Sequence, residues 1–217
     1  MSGEDPVYFD QFSKLPPNLV ITAIEVTKFA AHYVNLEDPK SFKWQEFLDG
    51  INSYPGKLIV PNSLQIKCDD LAMDKFQNNT INQQTATVQT MVDKIVDFLR
   101  VVLSVALSGA DIAALAKNIE TTFTDLRTAK ENGWADFSKS SSSNNSSWQY
   151  RVQFAFPNPD LPDYFYSLVT TIKLEADIKE ESSWWGLESS TQKNFSAVID
   201  AMQLIVSQGF KDPRKPV

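Results

Sequence analysis

The sequence predicts an α/β protein of the α+β type, in which a helical part precedes a part made of strands. Three observations carry this expectation. Residues 86–132 place apolar side chains at helical spacing in two consecutive stretches, divided by "LSGAD". From residue 148 the period changes to two, the alternation of strands with one apolar face. Between them runs "SKSSSSNNSSW", a Ser/Asn-rich loop with no apolar anchor.

In chain order, "PNLVITAIEVTKFAAHYVN" fits two readings, a strand over 18–24 followed by a helix over 26–35, or one continuous helix. "DPKSFKWQEFLDGINSY" predicts a helix with Phe42, Phe47, Leu48 and Ile51 turned inward. "KLIVPNSLQIKC", residues 57–68, reads as extended around Pro61.

The next segment holds the most apolar run of the chain, Ile95 to Leu107. A membrane-crossing helix needs about 20 predominantly apolar residues. This run is shorter and contains Asp97 and Arg100, so it predicts a buried helix of a folded domain. Its polar residues Thr90, Asp93, Asp97, Arg100 and Ser104 recur every three or four positions and form one narrow stripe. The rest of the cylinder is apolar, with Val88, Met91, Val92, Ile95, Val96, Leu99, Val102 and Leu103. Asp97 and Arg100 stand close enough on the stripe to pair. Gly109 is suited to end the helix, and Ser108 followed by Asp111 suits the start of the next. That second helix carries Ile112, Leu115, Ala116, Ile119, Phe123 and Leu126 on one face and stops at Gly133.

In "WQYRVQFAF", Trp148, Tyr150, Val152, Phe154 and Phe156 share one face, opposite Gln149, Arg151 and Gln153. After the turn "PNPDLPD", one face of "YFYSLVTTIKLEADIK" carries Tyr164, Tyr166, Leu168, Thr170, Ile172, Leu174, Ala176 and Ile178. The other carries Ser167, Thr171, Lys173, Glu175, Asp177 and Lys179, interrupted by Phe165 and Val169. These are two long antiparallel strands, the second reaching roughly 50 Å at about 3.3 Å per residue. In the final "NFSAVIDAMQLIVSQGF", Phe195, Val198, Ile199, Met202 and Ile205 fit a helix better than a strand.

Composition narrows the function. At 217 residues with 42% hydrophobic content, the chain supports a sizeable core. A net charge of −7 gives no basic field for nucleic acid. Cys68 is the only cysteine and His32 the only histidine, so no thiolate cage forms and any Ser/His/Asp triad would have to run through His32. No G-x-S-x-G turn accompanies it, and "ALSGAD" lacks the lysine of a phosphate loop. Asp69-Asp70 and Glu180-Glu181 read as solvated charge. No catalytic constellation, metal site or cofactor is expected. The acidic start "MSGEDPVYFDQF" is not a secretory signal.

Two features admit a functional reading. Trp184-Trp185 suits a lipid interface or sugar stacking, though a plug at the core edge is the slightly favoured reading. The alternating strands read first as a half-buried sheet, the default for this pattern; the same alternation also suits a transmembrane β-barrel, whose crossings need about 9–11 residues.

The hairpin decides between these. "VQTMVDKIVDFLRVVLSVALSGADIAALAKNIETTFTDLRTAKENGWADFSK", followed by a polar loop and "WQYRVQFAF", resembles the cytolytic δ-endotoxin (Cyt) family and its volvatoxin relative. The likeness rests on "VLSVALSG", "TTFTDL", "KENGW" and the aromatic strand after the loop, and spans most of residues 18–206. It implies one domain over residues 1–217, a three-layer sandwich of an antiparallel sheet between two layers of helical hairpins. Its parts would be an N-terminal strand and helical layer at 18–56, the hairpin at 86–132 and long strands over 148–206. The family would place a strand at 194–206, where periodicity favours a helix. The chain carries no long terminal extension, so no protoxin cleavage is expected.

The resemblance also implies a non-enzymatic cytolysin acting outside the producing cell, which binds phospholipid without a protein receptor, oligomerises and permeabilises the bilayer. Negative charge favours zwitterionic over anionic lipid, unless Lys211, Arg214 and Lys215 dominate locally. The expected inserting residues are Trp148, Tyr150, Val152, Phe154, Phe156, Tyr164, Tyr166, Leu168, Ile172, Leu174, Ile178, Trp184 and Trp185. Val92, Ile95, Val96, Leu99, Val102 and Leu103 would form a mobile cover. The alternative is a non-lytic carbohydrate- or lipid-binding module built on Trp184 and Trp185.

Overall fold

The computed structural model describes residues 8–35, 42–52, 71–140 and 144–212. The elements are β1 (Asp10–Ser13), α1 (Pro17–Ala31), α2 (Trp44–Asn52), β2 (Leu71–Thr87), α3 (Val88–Val102), α4 (Gly109–Thr124), α5 (Leu126–Glu131), β3 (Ala135–Lys139), β4 (Ser146–Pro157), β5 (Tyr164–Ala176) and β6 (Gln192–Ser207), with a short 3-10 turn at Glu181–Trp184.

All strands join one mixed sheet in the order β1-β4-β5-β6-β2, and β3 also pairs with β4. Among the described strands only β1 runs parallel to its partner; the other pairings are antiparallel. The outer edge of β4 is thus shared by two short strands, β3 along Ser146–Tyr150 and β1 along Val152–Ala155.

Alternate residues of the central strands feed two separate apolar cores. Trp148, Val152, Phe154, Leu168, Ile172, Leu174, Phe195, Ala197, Ile199 and Ala201 pack with the buried side of α3, α4 and α5. Ala155, Phe165, Val169, Met202, Leu204 and Val206 pack with α1 and α2 through Leu19, Val26, Phe29, Phe47 and Ile51. The two apolar interruptions on the polar face of β5, Phe165 and Val169, are its contribution to this second core.

That arrangement explains the main correction to the sequence reading. Residues 194–206 form a strand, β6, and not a helix. β6 lies between β5 and β2, so both of its faces are buried and apolar residues fall at odd and even positions alike. Doubly buried strands lose their alternation, and the residue pattern then mimics a helical period.

Other boundaries move for local reasons. Residues 17–31 make one continuous helix, opened by Pro17 in its first turn. Helix α3 ends at Val102 with Leu103 already extended, seven residues before Gly109, which instead opens α4. The second hairpin helix breaks at Asp125 into α4 and α5, and Gly133 at φ 82° ends it as the sequence suggests. β5 stops at Ala176, so Ile178 lies just beyond the strand and the 50 Å length is too great. Strand β2 escapes the sequence reading because it is a polar edge strand without alternation. The segment 57–68, expected to be extended, lies outside the described residues.

Candidate functional site

The feature of interest is the sheet face beneath α3–α5. Trp148, Tyr150, Val152, Phe154 and Phe156 from β4 and Leu168, Ile172 and Leu174 from β5 all lie buried there, together with Ile178. The two strands pair in register, Trp148 with Leu174, Tyr150 with Ile172 and Phe154 with Leu168, so the apolar side chains form one continuous surface. Tyr164 and Tyr166, at the start of β5, are half-buried.

Over this face lie α3–α5, of which α3 packs mainly against β6 and β2 at one side of the same core. Val92, Ile95, Val96, Leu99, Val102 and Leu103 are all buried against the same core, while Asp97 and Arg100 pair at 4.0 Å on the outer stripe. Thr87 caps the helix by accepting the Thr90 backbone N–H at 3.1 Å, and Ser108 does the same for Asp111 at the start of α4. The hairpin therefore has well-formed ends of its own and needs the sheet mainly to bury its apolar side.

The two tryptophans part company. Trp184 is fully buried and its indole N–H donates to Ser146 Oγ at 2.8 Å, while Ser146 donates to the Ile178 carbonyl. Trp185 is half-buried and stacks on Trp148 with ring centres 5.7 Å apart. Together they close the core edge next to Phe137, which meets Trp148 at 5.2 Å.

The opposite face of β4 and β5 is polar along most of its length. Gln149, Arg151, Gln153, Ser167 and Thr171 are buried there, and Lys173 and Asp177 at the far end are exposed. Gln153 donates to Ser167 Oγ at 2.7 Å and accepts from Thr27 of α1 at 2.6 Å. Arg151 is 2% exposed, and its fork reaches the Asp136 carboxylate at 2.7 Å, the Gly133 carbonyl at 2.7 Å and the Tyr8 carbonyl at 2.8 Å. It pins the end of the hairpin and the N-terminal segment to β4. Nothing in the sequence marked this residue; strand alternation placed it on a solvated face.

A second buried polar contact lies at the β1 edge. Tyr150 donates to the Asp10 carboxylate beneath α4. Burial pushes the Asp10 carboxyl above its ordinary range, against the opposing hydrogen bonds from Tyr150, the Gln11 backbone and Asn118. The Tyr150 hydroxyl is pushed up as well, first by burial and then by the Asp10 charge and hydrogen bond. His32 sits apart from all of this, at the end of α1, bonded to Asp212 at 2.6 Å. Among the described residues no group of three or more His, Cys, Asp or Glu could hold a metal ion, and no helix is long and apolar enough to cross a membrane. The latter carries no information about crossing by strands.

An amphipathic hairpin thus lies over an apolar antiparallel face, and comparison with known proteins says which family has this arrangement. The family model for Bacillus thuringiensis toxin matches residues 57–210. The chain belongs to this family, the cytolytic δ-endotoxins, a family of non-enzymatic toxins. It is 31% identical over 160 residues to the type-1Ba cytolytic delta-endotoxin of Bacillus thuringiensis subsp. neoleoensis, covering 71% of this chain and 57% of that protein. It is 27% identical over 124 residues to the type-1Aa toxin of subsp. morrisoni, covering 57% of this chain and 49% of the relative. The chain spans about half the length of the curated relatives it matches. Among solved structures, a delta-endotoxin superposes with a TM-score of 0.77 at 18% identity, covering 95% of this chain and 84% of that one. The activated Cyt2Ba monomer from Bacillus thuringiensis subsp. israelensis superposes with a TM-score of 0.76 at 17% identity, covering 92% and 98%. These two likenesses establish the fold.

Proposed function

We propose that this chain is a membrane-permeabilising cytolysin that binds phospholipid bilayers, oligomerises on them and opens pores or lesions in a target membrane. The observation that carries this is the continuous apolar face of β4 and β5, closed off from water by a hairpin whose two long helices are N-capped by Thr87 and Ser108. The two cores on opposite faces of the sheet act as the seams of a three-layer sandwich, and the α3–α5 seam is the one that opens.

Once α3–α5 lift away, the Trp148–Phe156 and Tyr164–Ile178 surface faces lipid. β4 has 12 residues and β5 has 13, each longer than the about 9–11 that a tilted strand needs to cross the hydrocarbon. In lipid every backbone N–H and C=O must be paired, so isolated strands do not persist there. Closure of strands from several copies into a barrel satisfies them, with Lys173, Glu175 and Asp177 turned toward water. The net charge of −7 favours zwitterionic over anionic surfaces. The carbohydrate alternative loses its platform, because Trp184 is in the core.

The test is dye release from phosphatidylcholine vesicles with sedimentation of the same sample. Rapid release with bound, oligomeric protein supports the cytolysin. Binding without release, or neither, overturns it.

A further inference from the structure

Between α3 and α4 the chain runs through Leu103-Ser-Val-Ala-Leu-Ser108 without helical structure, although its composition suits a helix and α3 has no proline or glycine at its end. One tertiary contact accounts for the break. Gln203 of β6, fully buried, accepts the Ser104 backbone N–H through its carbonyl oxygen at 2.8 Å and donates its amide to Ser104 Oγ at 2.8 Å. β6 turns Phe195, Ala197, Ile199 and Ala201 toward the same core. A glutamine in that row is costly to bury unless it is bonded, and these are the bonds that satisfy it.

The connector is also the free end of the hairpin. The hairpin joins the sheet at Thr87 through β2 and at Ala135 through β3, and α3 carries the connector about 22 Å away at 1.5 Å per residue. Its outer surface mixes apolar and small polar groups: Val101 is 69% exposed, Ala106 is exposed between Ser104 and Ser108, and the half-buried Val105 and Leu107 join them in a groove of about 450 Å³ beside the Asp97–Arg100 pair. Those two charges cancel, so that among the described residues Asp111 at the start of α4 is the one charge left beside the connector on a protein of net charge −7.

We propose that this tip is the surface that first meets the zwitterionic lipid interface, and that Gln203 is the catch that holds the hairpin down until it does. The proposal rests on the cytolysin reading and adds its point of contact and its release step. Apolar side chains at the tip partition into the headgroup boundary, where unpaired backbone is costly. Continuing α3 through residues 103–108 pairs that backbone internally, and in doing so withdraws Ser104 from Gln203. A membrane-bound tip thereby unlatches α3 at its point farthest from the hinge.

The test combines vesicles and solution. A polarity-sensitive fluorophore is placed at Val101→Cys in a Cys68→Ser background and mixed with phosphatidylcholine vesicles. Its signal should move to that of an apolar environment before dye is released. Val101→Asp with Leu107→Asp should slow binding at least tenfold without altering the circular dichroism spectrum. Gln203→Met should speed exchange of the Ser104 amide in solution and raise the leakage rate several-fold. If the unmodified protein neither binds nor leaks, the cytolysin reading falls and the tip falls with it. If it leaks while the probe at 101 stays in water, or Gln203→Met leaks at the original rate, the tip and catch alone are overturned.

Discussion

Truncating the same side chain by the same methylene on the two faces of the sheet separates release of α3–α5 from general instability. Ile95 of α3 is 0% exposed in the core that the hairpin covers, and Ile51 of α2 is 1% exposed in the other core. Ile→Val at a fully packed position costs about 1 kcal/mol, the transfer of one methylene plus the small void it leaves. Both Ile95→Val and Ile51→Val should therefore lower the free energy of unfolding in urea by about that amount. Their effects on membranes should differ. If α3 must leave the sheet before the slow step, the whole of the Ile95 contact is absent at that step. The leakage rate then rises by up to about fivefold, the factor equivalent to 1 kcal/mol. The Ile51 contact plays no part in that step, and Ile51→Val should leak at the original rate. Equal acceleration by both variants would mean that overall stability governs leakage, and no acceleration by Ile95→Val would mean that α3 stays in place. Either result refutes the reasoning.

Three further outcomes follow from the same contacts. Arg151→Met removes the guanidinium bonds to Asp136, Gly133 and Tyr8 and leaves that carboxylate and the two carbonyls without them, so stability in urea should fall by about 3 kcal/mol. Arg151→Lys should recover little, because an ammonium lacks the planar fork. Trp184→Phe should cost about 2 kcal/mol in the same assay, combining the lost bond to Ser146 with a smaller ring in a closed site. Asp10 sets a pH dependence: burial holds its folded pKa above the ordinary carboxylate value. The folded state then holds the proton more tightly, and this contribution to stability is fully present below the unfolded pKa and lost as pH rises through the folded one. Asp10→Asn should flatten the melting temperature over that window and raise it at neutral pH, as measured by calorimetry at a series of pH values.

The helical cover and the two aromatic strands were legible because each has one apolar side and one largely polar side. The stripe from Thr90 to Arg100 and the alternation from Trp148 to Leu174 are direct images of a face in water or in polar contacts and a face in the core. What was not legible lacked that asymmetry. β6 is buried on both sides, and its Phe195, Val198, Ile199 and Met202 matched a helical period by coincidence of two strand faces. β2, an edge strand of Asn, Gln and Thr, had no apolar face to show. The end of α3 depends on Gln203, 99 residues away from Ser104, a contact that no local pattern encodes. Arg151 is the same lesson at the site: alternation assigned it to water, and only its partners on other segments explain why it is buried.

The central claim, that α3 must part from the sheet for the protein to act, is tested most directly by tying the two together. Ser104→Cys and Gln203→Cys in the Cys68→Ser background place thiols where the two side chains now meet, at the end of the hairpin remote from its hinge. A short reducible reagent joins them, and phosphatidylcholine vesicles report leakage before and after reduction. The account predicts no leakage from the tethered protein and full recovery once the tether is cut. Leakage from the tethered protein at the rate of the reduced one would contradict it.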